Sequence, residues 1–338
     1  MTGIEPFVGP AAGGLVKIVL DGAKAVGGNL SKAISDRHKA AEALKQYADK
    51  YQSRYGLLKL LGMPQAVELE EIYTNVRFLD WFSIGRFESI AAMEKDYRQS
   101  NQRQFQIGRQ TGSRDGIAVA NEHPYLMVLG GPGAGKSTFL RRLGLEALKG
   151  KNGKFQHQRL PVMLELKRLT GEVDLTAEIA KEFQHFGFPP SQAFALKALE
   201  QGKLLVLLDG LDEVPKDRLN AVIEAIHDFV VQYKDDNRFV ASCRIAAYRS
   251  SFQNFRDIEL ADFDDKQIQQ FINNWFSTEL DKQSGRDTIR PSLPSACMFT
   301  IAAFLGCTVA KWSVWPCWRM KTLTGDRTNM AMKSGAAK

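Results

Sequence analysis

A glycine-rich segment near the middle of the chain ends in a lysine and two hydroxyl residues, a combination suited to binding phosphate. Its spacing is G-x-x-x-x-G-K-S. Glycines allow successive backbone N–H groups to approach a phosphate without a Cβ in the way. The lysine can bridge β- and γ-phosphates, and the serine hydroxyl can ligate Mg²⁺. The segment is therefore a candidate nucleotide-binding loop, and its residues are Gly130, Gly131, Pro132, Gly133, Ala134, Gly135, Lys136, Ser137 and Thr138.

A carboxylate later in the chain complements this loop. Asp209 directly follows the apolar run Leu204–Leu208. Desolvating a carboxylate at the end of a buried strand is costly without a counter-charge. Mg²⁺ would supply that charge, so the candidate metal ligands are Ser137 and Asp209.

Three more charged residues follow predicted strands and could act on a γ-phosphate. Asp212 and Glu213 follow the candidate metal ligand after two intervening residues, and one of them, with Glu213 favoured, could orient or deprotonate the attacking water. Arg244 follows the next predicted strand and could reach the γ-phosphate. The alternatives are a solvated acidic loop and a surface arginine. The candidate catalytic residues are Lys136, Asp209, Asp212, Glu213 and Arg244.

Strands and helices alternate from His123 onward, and this alternation must position the candidate residues. The predicted strands are largely continuous apolar runs, as expected for a parallel sheet that is buried on both faces. They are Tyr125–Leu129, Leu160–Leu166, Leu204–Leu208, Phe239–Ser242 and Ile258–Leu260. Predicted helices include Lys136–Leu148, Arg218–Tyr233 and Asp265–Phe276. The pattern predicts an α/β P-loop NTPase fold, in which helices flank a parallel β-sheet.

The residues before this domain predict a helical region. Apolar or small residues recur near the 3.6-residue period between Leu30 and Tyr55, and Gly56 is a stop signal. The apolar run Leu15–Leu20 is too short to span a bilayer. Packing of this run against the next helix is favoured over a membrane-active segment.

Charge and cysteine usage limit the classes of partner. The chain has 338 residues and a formal net charge of +7. Seven basic residues and one acid lie from Thr288 onward, so this stretch carries a net six of those charges. The nearly neutral remainder argues against nucleic acid as a partner. Four widely spaced cysteines and a start without Lys or Arg favour a reducing, cytoplasmic location.

Three segments together resemble the NACHT domain of the STAND class of signal-transduction ATPases. They are GGPGAGKST at Gly130–Thr138 (Walker A), LLVLLDGLDEV at Leu204–Val214 (Walker B) and ASCR at Ala241–Arg244. The second segment is the most specific, because two residues separate its first acid from the acidic pair. In helicases the second acid follows the first directly.

The resemblance implies ATP or ADP with Mg²⁺ as ligands and a switch as the function. Such proteins rest with ADP, exchange it for ATP on a signal, and associate with themselves or a protein partner. Tyr73 and Thr74 lie in a segment similar to the one that contacts adenine before NACHT domains; an ordinary helix or strand is the alternative. Bacterial members include anti-phage defence proteins and animal members include innate immune receptors. This chain is more similar to the bacterial ones.

The chain divides into four predicted parts. They are an N-terminal helical region (1–66), a connecting helical segment with a possible adenine contact (67–121), the NACHT P-loop NTPase domain (122–281), and an atypical basic tail containing Cys and Trp (282–338). The helical and winged-helix regions that usually follow a NACHT domain are not recognisable in the tail. We interpret the tail as foreign to the fold, from truncation or a shifted reading frame; a membrane anchor at Pro291–Ala310 is the alternative.

Three functions remain open at this stage. The leading one is an ATP-dependent signalling switch with slow hydrolysis. The others are an AAA-type motor ATPase and a truncated module that holds nucleotide without a complete switch cycle. A GTPase is disfavoured because the sequence has no N-K-x-D base-reading motif.

Overall fold

In the computed structural model of the chain, the first described elements are three helices. They are α1 (Gly13–Val26), α2 (Gly28–Ala33) and α3 (Arg37–Tyr55). Helix α3 begins after Asp36, whose Oδ1 accepts a hydrogen bond from the Lys39 backbone N–H at 2.9 Å, and it ends at Gly56 as predicted. The structure describes residues 13–58, 66–79, 114–169, 173–188, 192–234, 236–248, 252–261, 263 and 265–275. The predicted tail at 282–338 lies outside these residues.

The rest of the described chain contains the strands and further helices. The strands are β1 (Leu57–Leu58), β2 (Val67–Glu68), β3 (Arg77–Leu79), β4 (Arg114–Asp115), β5 (Tyr125–Gly130), β6 (Leu160–Glu165), β7 (Leu204–Asp209), β8 (Arg238–Arg244) and β9 (Arg256–Leu260). The further helices are α4 (Leu69–Ile72), α5 (Gly116–Glu122), α6 (Lys136–Leu148), α7 (Leu175–His185), α8 (Gln192–Glu200), α9 (Leu219–Tyr233) and α10 (Asp265–Trp275).

Seven of these strands form one sheet in the order β4-β3-β9-β5-β8-β7-β6. Strands β9, β5, β8, β7 and β6 pair in parallel. All five were predicted from their apolar runs, and the predicted α/β class with a mostly parallel sheet is confirmed. In such sheets, ligands bind beyond the carboxyl ends of the strands. The loop after the central strand β5 is at this edge.

The described parts of the predicted connecting segment, 67–79 and 114–121, contain short strands as well as helices. Strands β3 and β4 extend the sheet beyond β9, and both of these added pairings are antiparallel. Helices α4 and α5 are short. Strands of two or three residues are too short to produce a recognisable alternation of apolar and polar residues. The polar stretch Gln99–Gly116, for which the sequence predicts an exposed connection, lies outside the described residues except for 114–116.

Helix α3 covers the β6 edge of the sheet. The hydroxyl of Tyr47 donates to the backbone carbonyl of Pro161 at 2.6 Å, and that of Tyr55 donates to the carbonyl of Met163 at 3.5 Å. A proline within a strand is typical of an edge, because proline has no N–H for the ladder. Covering an edge with a helix is one way in which proteins prevent unwanted strand pairing.

An aromatic cluster joins α3 to the rest of the molecule. The rings of Tyr47, Tyr51 and Tyr55 are almost fully buried. Tyr47 lies 5.3 Å, between ring centroids, from both Phe186 and Phe188, which follow α7. Helix α6 passes so close to Tyr51 that a Cβ on Gly144 would collide with the tyrosine hydroxyl. The N-terminal helices therefore share the hydrophobic core of the sheet, rather than forming a core of their own.

Helix α1 packs against α3 and α8 and contains the apolar run Leu15–Leu20. The residues Leu15, Val16, Ile18 and Val19 are buried there, as favoured from the sequence. Among the residues that the structure describes, no helix is both long and apolar enough to cross a membrane.

Candidate nucleotide-binding site

The glycine-rich loop lies between the carboxyl end of β5 and the first turn of α6. Gly133 and Gly135 have φ angles of 72° and 93°, in the left-handed region that other residues rarely adopt. The Phe139 N–H donates to the carbonyl of Gly135, so the helix begins immediately after this turn. The first N–H groups of a helix have no partner within it, and together with the helix dipole they favour an anion.

An open cleft of about 200 Å³ lies in front of this loop. It contains the part of the loop that a phosphate would meet and the ends of two neighbouring strands. Its lining residues are Pro132, Gly133, Ala134, Gly135, Lys136, Ser137, Thr138, Gly210, Asp212, Glu213, Ser242 and Arg244. The fold thus brings most of the candidate site residues to one cavity.

Lys136 is directed back onto its own loop. Its Nζ donates to the carbonyls of Gly130 and Gly131 at 3.0 Å and 2.9 Å. Burial lowers the pKa of the Lys136 ammonium, and the carboxylate of Asp212 opposes that shift. Asp212 thus offsets only part of the cost of burying the positive charge of Lys136. An anion in the cleft would stabilise it.

Asp209 is held by two serine hydroxyls. Ser137 Oγ and Ser242 Oγ both donate to Asp209 Oδ1, at 2.9 Å and 2.7 Å. Burial raises the pKa of Asp209, while these two hydrogen bonds oppose the shift. A cation beside the carboxylate would remove the cost of burying its charge. In proteins Mg²⁺ is usually bound by one or two carboxylates together with substrate phosphates, and the pair Ser137 and Asp209 fits that pattern.

Asp212 and Arg244 both line the cleft and form an ion pair. Arg244 Nε lies 2.8 Å from Asp212 Oδ2, and the Arg244 backbone N–H donates to Oδ1 at 2.9 Å. The Asp212 side chain is only 7% exposed, whereas that of Arg244 is 48% exposed. Asp212 therefore fixes the strand end that carries Arg244, while the guanidinium still borders the cleft.

Glu213 lines the cleft beside this pair and contacts a lysine from the edge strand's end. Lys167 Nζ lies 3.1 Å from Glu213 Oε2, and both side chains are about half exposed. An exposed pair of this kind is weak. Glu213 can therefore change partner when a ligand enters the cleft.

Tyr73 lies against α6, and neither it nor the adjacent Thr74 is among the residues that line the cleft. Both are buried, and Tyr73 packs beneath the guanidinium of Arg142, 5.4 Å from the ring centroid. The hydroxyl oxygen of Thr74 is buried without a hydrogen-bond partner among the described residues. An orphaned buried hydroxyl is costly, so this oxygen fits a contact with a ligand atom.

Two residues at the site were not assigned a role from the sequence. Ser242 donates to Asp209 and accepts from the Gly210 N–H at 2.9 Å, which ties the ends of β7 and β8 together. A polar residue inside the otherwise apolar run of β8 was the available signal. Lys167 follows β6 in sequence, and nothing in its local pattern indicated that it contacts Glu213.

A mostly parallel sheet, a glycine-rich loop after its central strand, and an acid hydrogen-bonded to the loop serine define a P-loop NTPase. Residues 124–279 match the family model of the NACHT domain. This part of the chain is a NACHT domain, a nucleotide-binding NTPase module of signalling proteins. No curated protein matches the chain.

Proposed function

We propose that the chain is an ATP-dependent signalling switch that binds ATP or ADP with Mg²⁺ and hydrolyses ATP slowly. The observation that carries this proposal is the 2.9 Å hydrogen bond between Ser137 and Asp209. The two candidate metal ligands, from α6 and β7, are thus in direct contact: Ser137 lines the cleft, and Asp209 also accepts a hydrogen bond from Ser242, another lining residue. A cation held there would lie next to a polyphosphate on the loop.

Five residues at or next to the cleft have roles in this proposal. Mg²⁺ would neutralise charge on the β- and γ-phosphates, and Ser137 and Asp209 would hold it. Lys136 would exchange its two loop carbonyls for phosphate oxygens. Glu213 would leave Lys167 and accept a proton from the attacking water. Arg244 would stabilise the γ-phosphate.

The boundaries, setting and partners of the switch belong to the same proposal. We place the NTPase domain at 122–281, and we assign the base contact to Tyr73 and Thr74. The proposed location is the cytoplasm, and the proposed setting is bacterial anti-phage or stress defence. The change from ADP to ATP would alter association with a second copy or with a protein partner.

The full chain, purified and assayed together with Asp209→Asn, tests the proposal. Wild-type protein should carry ADP, bind Mg·ATP and turn it over slowly. Asp209→Asn should lose at least about tenfold in Mg²⁺-dependent affinity, because an amide holds the cation less well. Without ligand, the variant should be as stable as wild type, since it removes a buried charge. Calorimetric titration and thermal unfolding measure both effects.

Asp257→Asn is the matched control for that variant. Asp257 also has a pKa raised by burial, but it accepts its hydrogen bond from Tyr248, whereas Asp209 accepts from two residues that line the cleft. Its affinity for Mg·ATP should stay within about twofold of wild type. Fast turnover stimulated by DNA or RNA would indicate a motor ATPase instead of a switch. Bound ADP without any hydrolysis would indicate a module that only holds nucleotide. If the protein had no affinity for nucleotide, the site itself would be refuted.

Arg244→Ala should separate hydrolysis from binding. We expect kcat for ATP to fall roughly 100-fold or more, because a cation at the γ-phosphate acts mainly in the transition state. Affinity for Mg·ADP, which lacks the γ-phosphate, should change by less than about threefold. The Arg244 backbone contact to Asp212 remains in the variant. Arg168→Ala, at a 61% exposed arginine outside the cleft, should have no effect; equal losses of ADP affinity and turnover in Arg244→Ala would contradict this role.

A further inference from the structure

A buried ion-pair network connects the P-loop helix to the segment that contains Tyr73. Arg142, on α6, has a side chain that is 9% exposed and lies between two carboxylates. Its NH2 is 2.6 Å from Glu146 Oε1, and its NH1 is 3.0 Å from Glu70 Oε1. Lys149 pairs with the same two carboxylates. Both the P-loop helix and α4 are thereby held by one set of charges.

Stability alone does not account for this network. The Glu146 side chain is only 2% exposed. Burying charged groups costs free energy, and the attraction between the buried charges often does no more than offset that cost. Apolar residues of similar volume would pack as well. Apolar residues, however, would not fix the relative orientation of the groups they contact. The planar guanidinium does so, because it has a fixed geometry toward two carboxylates and an aromatic face. The network is therefore suited to hold one element in a defined position relative to another.

The element that Arg142 positions is the turn after α4. The Tyr73 ring lies beneath the guanidinium, and the next residue is Thr74, whose buried hydroxyl oxygen has no partner among the described residues. A few residues further, Phe78 packs edge-on against Phe139 of α6, with ring centroids 5.0 Å apart. Phe139 lies three residues after Lys136. The turn and the phosphate loop are thus fixed to the same helix.

We propose that Arg142 is a positioning residue that makes recognition of the base depend on the P-loop helix. It acts through Tyr73, which it holds so that the Thr74 hydroxyl stays available to the base of a nucleotide. This inference rests on the proposed nucleotide site and extends it. Arg142 should then contribute to the binding of ligands that carry a base, and not to the binding of phosphate groups alone.

The test compares Mg·ADP with Mg·tripolyphosphate, a base-free ligand, by calorimetric titration of the full chain. Arg142→Met combined with Glu146→Gln removes both charges, so no buried carboxylate loses its partner. We expect about a tenfold loss of affinity for Mg·ADP, of the size of a desolvated cation–π contact, and less than a twofold change for Mg·tripolyphosphate. Lys149→Met is the matched control: it removes a cation that pairs with the same two carboxylates, whereas the cation over the Tyr73 ring is Arg142. Both affinities should be retained.

Tyr73→Leu keeps the ion pairs and provides a second route if the double variant unfolds. It should reproduce the selective loss for Mg·ADP, and adding Arg142→Met and Glu146→Gln to it should lower the affinity no further. Equal losses for both ligands, or losses that add, would overturn the inference. Failure of wild type to bind either ligand would instead refute the nucleotide site. Wild-type protein that binds Mg·tripolyphosphate as tightly as Mg·ATP, which has the same number of phosphates together with a base, would refute the base contact, and with it the role of Arg142.

Discussion

Replacing Lys136 with alanine should lower the affinity for Mg·ATP and Mg·ADP about 100-fold. The variant removes the cation at the start of α6, whose charge the protein itself compensates only in part. Removing one partner of a buried charge pair typically costs about 2–5 kcal/mol of binding free energy, and 100-fold is about 3 kcal/mol. Calorimetric titration of purified wild type and variant measures the difference.

The control for this variant is Lys151→Ala, at an exposed lysine just beyond the same helix. It changes the net charge equally, so a general electrostatic effect would appear in both variants. We expect the control to bind nucleotide like wild type. If Lys136→Ala bound within about threefold of wild type, the cleft would not be a phosphate site.

Replacing Tyr47 with alanine should lower the free energy of unfolding by about 3–5 kcal/mol, the usual cost of truncating a buried aromatic residue. Tyr47 is fully buried, and its ring lies within 6.1 Å, between centroids, of Tyr51 and three phenylalanines. Loss of the ring would leave a cavity between α3 and the residues around α7. Urea unfolding followed by circular dichroism measures the change.

Tyr47→Phe separates the hydroxyl from the ring. It keeps the packing and removes only the hydrogen bond to Pro161, so the expected loss is about 1–2 kcal/mol. If alanine cost no more than phenylalanine at this position, the aromatic cluster would not be what holds α3 to the sheet.

The sequence was sufficient to predict the parallel strands and the phosphate loop. Strands buried on both faces leave continuous apolar runs such as Leu204–Leu208, and the loop has fixed residue types at fixed spacing. Both signals are local. The same is true of α3, which has a capping aspartate at one end and Gly56 at the other.

Contacts between distant segments were beyond this kind of prediction. Ser242 and Asp209 are 33 residues apart, and Asp212 and Arg244 are 32 apart. Their pairing follows from the order of β7 and β8 in the sheet, which no local pattern encodes. For the same reason the sequence indicated an amphipathic helix at α3 but not which surface it covers.

Because α3 covers β6, the chain should not tolerate removal of its N-terminal helices. A fragment cut to the family match would start at residue 124 and would leave the β6 backbone and the Phe186 and Phe188 rings facing water. Such a fragment should self-associate rather than remain monodisperse. The helices and the sheet should also melt in a single calorimetric transition. The smallest part of the chain that folds on its own is therefore larger than residues 124–279, the part that matches the family model.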